Sequence, residues 1–133
     1  MASSALRWGR IVLGGVLGEA ILVLAVIPVY MTGSGETSLT VVAVVGSFVA
    51  FVLTARWLGR SLPRPVSNGM LMGAVAAAIY IVASLVGRVF VPDAPPAPLI
   101  YYVAHLLKVA GGATGGWLAQ RAVRAVETPA RMG

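Results

Sequence analysis

Glu19 and Lys108 each stand alone inside a long apolar stretch of this 133-residue chain. If those stretches cross a bilayer, both groups fall near its middle. Glu19 lies nine residues after Arg10, about 13 Å along a helix, and Lys108 ten residues after Pro98, about 15 Å from the opposite side. The hydrocarbon core is about 30 Å thick. An unpaired charge at that depth costs about 2.5–3.5 kcal/mol on insertion scales, so it faces protein, finds a partner or works on something passing through. A carboxylate and an ammonium are complementary, and pairing them removes much of the cost. His105, one turn from Lys108, adds an imidazole, and Tyr80 and Ser47 fall at similar depth and complete a polar centre. The chemistry open to such a set is either an ion pair that fixes helix register or a protonatable site for transport. The structural reading leads, because a complementary pair is what a lock requires. By itself His105 reads as a hydrogen-bonded packing residue.

Other chemistry is poorly supplied. The chain has no cysteine, one histidine and four acidic residues. That excludes a disulfide framework, a thiolate nucleophile and a Cys metal site, and makes a protein metal cage improbable. No paired carboxylates or Ser-His-Asp set appear. The expectation is a protein that is not an enzyme, with no cofactor and no metal. The net charge of +6 would suit nucleic acid if the arginines formed a patch. They stand instead at the ends of apolar segments, so nucleic acid is not an expected partner.

The elements that must position these residues are long. The chain is 59% hydrophobic and 11% charged, with mean hydropathy +0.91, whereas soluble domains carry about 25% charged residues. Residues 1–10 form a short lead. Apolar runs follow over 11–31, 39–58, 67–91 and 98–120, and residues 121–133 form a basic tail. Each run is apolar all round, too long for one strand and without the alternation of a barrel strand. In lipid the backbone must satisfy itself, which leaves helices. The expected fold is all-α, a bundle of four transmembrane helices. The first run exceeds the length of a signal-peptide core and lacks a clean cleavage site, so it is read as a span.

Orientation follows from charge. Arg7, Arg10, Arg56, Arg60, Arg64, Arg121, Arg124 and Arg131 fall on one side if the spans alternate, and Glu36, Asp93 and Arg88 lie toward the other. The positive-inside rule predicts cytoplasmic N and C termini. Trp8, Trp57 and Trp117 then mark the cytoplasmic interface, and Tyr30, Tyr101 and Tyr102 the opposite one.

Glycines recur at helix-packing spacing: Gly14, Gly15 and Gly18 in the first run, Gly69 and Gly73 in the third, and Gly111, Gly112, Gly115 and Gly116 in the fourth. Lipid supplies no hydrophobic drive between helices, so close backbone approach supplies the contact energy. Packing within one bundle is favoured over an oligomer seam. Gly15 beside Glu19, and Gly111 and Gly112 beside Lys108, predict a close approach of the first and fourth helices.

The segments Asn68-Gly69-Met70-Leu71-Met72-Gly73, Ala78-Ile79-Tyr80 and Leu107-Lys108-Val109-Ala110-Gly111-Gly112-Ala113-Thr114-Gly115-Gly116 resemble a bacterial family of small four-span membrane proteins with a Gly-Gly-rich last helix. The resemblance implies a four-helix inner-membrane protein and brings no assigned activity. The functional expectation is a multi-pass, non-enzymatic protein of the bacterial inner (plasma) membrane. It would be structural or a subunit, partnered by the bilayer and by further copies or a larger complex. The alternative is a small oligomeric transporter or channel using Glu19, Lys108 and His105.

Overall fold

The computed structural model describes residues 6–93 and 95–127. The first residues of the lead and the last residues of the basic tail, Arg131 among them, lie outside the described residues. Four helices make up the fold: α1 (Trp8–Met31), α2 (Glu36–Gly59), α3 (Pro65–Phe90) and α4 (Leu99–Glu127), with no strand among the described residues. Their ends follow from local chemistry. Beyond α1 the chain turns at Gly33, whose φ of +67° suits a residue without a Cβ, while the Thr32 N–H caps Pro28 O at 3.0 Å. Glu36 opens α2 where the helix dipole favours an acid. Pro65 starts α3 at a position where its missing N–H costs nothing. Pro95, Pro96 and Pro98 keep the chain out of helix until Leu99. α4 then continues past residue 120, so the first part of the expected tail is helical.

The chain builds two hairpins, α1–α2 and α3–α4, stacked side by side. Arg10 bonds to Ser61 and Gly18 meets Phe51, so α1 and α2 run antiparallel. Gly69 meets Gly112 and Gly73 meets the Lys108 carbonyl, so α3 and α4 do the same. Between hairpins, α1 lies parallel to α3 through Gly14 and Gly15 against Met72. α2 lies parallel to α4 through Phe48 on Gly111 and Val52 on Gly115. α1 and α4 occupy opposite corners, with no described Cα pair between them within 8 Å. The expected close approach of these two helices is therefore corrected. Gly15 is taken up by Met72 and Val75 of α3, Gly111 by α2 and Gly112 by α3.

All nine glycines singled out by spacing are buried and meet another helix of the same chain. The fit is not equally tight everywhere. A methyl group on Gly18 would sit 2.6–2.9 Å from the Phe51 ring, which is fully buried and has nowhere to move. Gly9 has nothing within 4 Å. Gly18→Ala is expected to cost about 1–3 kcal/mol as an overpacked site, whereas Gly9→Ala gains up to about 1 kcal/mol of helix propensity. Thermal unfolding in detergent checks both, and equal effects would contradict this packing.

The buried core, with Ile11, Phe51, Ala55, Met72, Ala76 and Ala119 at its centre, occupies the half of the bundle nearer the termini. Toward the other end the helices part. Every α3 residue from Ala78 to Phe90 is exposed, and so is most of α1 beyond Leu22. Glycines at the helix seams allow backbone contact in the closed half, whereas in the open half Gly87 of α3 has nothing within 4 Å.

α1, α2 and α3 are long and apolar enough to cross a membrane; α4 is long enough but falls short in hydropathy. His105, Lys108, two tyrosines and four glycines lower it. Three such helices suggest a membrane protein.

Candidate functional site

The site lies where the bundle begins to open. Lys108 stands on α4 one turn before the glycines that bring this helix onto α2 and α3. Its backbone carbonyl packs on Gly73, which leaves no room for a Cβ there. Anchored in this way, its long stem crosses the bundle interior, and Nζ donates a hydrogen bond to Glu19 Oε1 on α1. The lysine side chain, and not a helix–helix contact, spans the diagonal between the two hairpins.

Enclosure is unequal. The Lys108 side chain is 3% exposed and that of Glu19 is 24% exposed. The ammonium is cut off from the surroundings and depends on its partner, while the carboxylate keeps an open edge. The pair is therefore not sealed on all sides. A cleft of about 380 Å³ reaches it from the splayed end, and Glu19, Ser47, Tyr80, His105 and Lys108 all line it.

The other polar members take different parts. The Tyr80 ring lies 5.7 Å from Lys108 Nζ, a distance at which the ring face attracts a cation. Its ring also packs on His105, with centroids 4.4 Å apart and planes at 48°. Ser47 is buried, but its hydroxyl donates to Ala43 O at 2.6 Å in its own helix and so is spent on backbone, as mid-helix serines commonly are. His105 is the exception to satisfaction. Both Nδ1 and Nε2 are buried without a hydrogen-bond partner among the described residues. Each buried polar group left in that state costs about 1–3 kcal/mol. The expectation that His105 is a hydrogen-bonded packing residue is corrected: it packs, but its nitrogens are unused.

Two further residues, Tyr101 and Asn68, matter to the fold and its clefts. Tyr101 was expected only as an interface marker, yet it lines this cleft and a second one of about 580 Å³ between α3 and α4. His105 and Tyr80 are shared by both clefts, and Arg88 stands on the wall of the second. Only the splay of the helices turns these side chains inward, and no sequence signal carries that. Asn68 is fully buried at the end nearer the termini. Its Nδ2 donates to Arg64 O at 2.8 Å, and its Oδ1 accepts the Arg7 N–H at 3.3 Å, tying the start of the chain to α3. Its lone polar amide ahead of an apolar helix was the available signal.

Among the described residues no three His, Cys, Asp or Glu side chains converge. The arrangement can hold an ion pair, offer hydrogen bonds into a cleft or relay a proton between Glu19 and its neighbours. Comparison with protein-family models, curated proteins and solved structures finds no match.

Proposed function

We propose that this chain is a small, non-enzymatic integral protein of the bacterial inner membrane, in which all four helices cross the bilayer and both termini face the cytoplasm. Its role is structural or that of a subunit, alone in homo-oligomers or in a larger membrane complex, in keeping with the four-span family that its glycine-rich segments resemble. The observation that carries the reading is the direction in which α4 turns its polar and small residues. Lys108 and Gly111, Gly112, Gly115 and Gly116 are buried, while Leu99 and Leu106 are 79% and 71% exposed. A helix whose hydropathy is lowered by residues facing protein still presents an apolar surface to lipid. α1 to α3 likewise expose Leu24, Val45, Leu53, Val82, Leu85 and Phe90, far more apolar surface than a soluble monomer tolerates. The Arg121 guanidinium lies 4.0 Å from the Trp117 ring, the kind of aromatic and basic pairing that suits an interface on the cytoplasmic side. Within this reading the Glu19–Lys108 pair locks one hairpin to the other.

The absence of cysteine makes topology easy to test. Single-cysteine variants Ser34→Cys and Ser67→Cys place thiols at opposite ends of the bundle. A membrane-impermeant maleimide applied to intact spheroplasts is expected to label only the first, and inverted vesicles only the second. Labelling of both from one side would overturn the proposed topology.

The cleft that reaches the pair favours a second reading, a small transporter or channel with Glu19, Lys108 and His105 along its path. In proteoliposomes carrying a pH-sensitive dye, a proton pathway would be abolished by Glu19→Gln with Lys108→Met. A lock shows no flux before or after.

A further inference from the structure

We propose that the cleft above the ion pair binds a neutral, lipid-soluble molecule bearing one carbonyl or hydroxyl head group, held by hydrogen bonds to His105. The inference rests on the membrane reading and adds a ligand to it.

His105 sets the head group. Its two ring nitrogens are buried, face no partner among the described residues and belong to a side chain that lines both clefts. A neutral imidazole offers one donor and one acceptor. Native structures rarely leave such groups unused, and where they do a missing partner is the first explanation to test. The contact with Tyr80 supports one face of the imidazole; its nitrogens have almost no surface of their own, so a ligand in the cleft reaches them as the ring turns about its Cβ–Cγ bond. Glu19 and Lys108 set the charge. They already neutralise each other, so a charged ligand would shed its hydration and find no net counter-charge in a low-dielectric site. A neutral one pays no such penalty.

The remaining walls set the body of the ligand. Leu22, Val26, Leu39 and Ala104 are apolar. On the α1 side Val23 and Ile27 line the cleft yet are 52% and 45% exposed, so the cleft is open along its flank as well as toward the splayed end. A ligand dissolved in the bilayer can enter there without crossing water. The volume of about 380 Å³ lies in the range of small-molecule sites, which are mostly apolar with a few convergent polar groups.

The test uses the full chain in lipid nanodiscs and a diazirine-bearing long-chain alcohol, with labelled residues mapped by mass spectrometry. Saturable labelling of cleft residues such as Ile27, Ala43 and Tyr101 is expected, competed by the unlabelled alcohol. The matching alkane, without the hydroxyl, is expected to bind about tenfold more weakly, as the loss of a hydrogen bond predicts. His105→Phe should show a similar loss, and His105→Gln, which keeps a donor and an acceptor, should largely restore binding. Equal, non-saturable labelling by alcohol and alkane would mean that an acyl chain merely fills the cleft, and would overturn the proposal. So would tighter binding of a carboxylate or quaternary ammonium analogue. The comparison of alcohol with alkane on the unaltered chain stands even if a histidine variant fails to fold. If the chain instead stays in the aqueous fraction without detergent, the membrane reading itself fails, and the ligand with it.

Discussion

Glu19→Gln alone is expected to destabilise the bundle by about 3 kcal/mol or more, while Glu19→Gln combined with Lys108→Met costs about 1 kcal/mol or less. The reason is the unequal enclosure of the two charges. Removing the carboxylate strands an ammonium that is 3% exposed, and an uncompensated buried charge is the costly product of breaking an ion pair. Lys108→Met alone leaves Glu19, which is 24% exposed and retains some access to polar surroundings. That single variant is therefore expected to be milder than Glu19→Gln. The double variant replaces both ions with uncharged side chains of similar volume, which proteins often tolerate without loss. Thermal unfolding of the four proteins in one detergent completes a double-mutant cycle. Additive single effects, with no coupling between the positions, would show that the contact does not hold the hairpins together.

The second large effect belongs to Gly112→Ala. Gly69 and Gly112 approach so closely that a methyl group on either would overlap the other's carbonyl oxygen. Both sides of that contact are backbone, so no side chain can swing aside and one helix must move. A cost of about 3 kcal/mol or more is expected, at the upper end of overpacking penalties. In lipid such packing is itself the main source of helix association. Gly14→Ala is the control of the same chemistry. There the added methyl meets the thioether side chain of Met72, which is fully buried but flexible enough to adjust where backbone is not, and the cost should be lower, about 1–2 kcal/mol. If the two variants unfold alike, backbone contact between α3 and α4 is not what sets stability.

Much of this architecture is readable in the amino-acid order. Long apolar runs divided by Gly33, Pro63, Pro65 and the Pro92–Pro98 segment anticipate four helices, and four are present. The fourth run was expected to be as apolar as the rest, and it is not. Its Lys, His and glycines serve neighbouring helices, a role that the average over a window does not register. Glycine spacing marks which faces pack closely, because only a residue without a side chain permits backbone contact. It does not say against what. Gly15 and Gly111 both flank the ion pair, yet one packs on α3 and the other on α2.

The order of residues alone determined the helical, lipid-compatible character of the chain and singled out two opposite charges in need of each other, because burying an isolated ion is costly in any arrangement. Tertiary structure alone decided how they meet. The hairpins stack with α1 and α4 at opposite corners, so the reach of a lysine stem, and not a seam between two helices, closes the gap. It also decided that the bundle opens beyond the pair, where Ala83 and Gly87 of α3 stay exposed although they are as small as the residues that pack in the closed half. The result is a charged pair beside a cleft instead of a sealed core, with the His105 nitrogens left unspent.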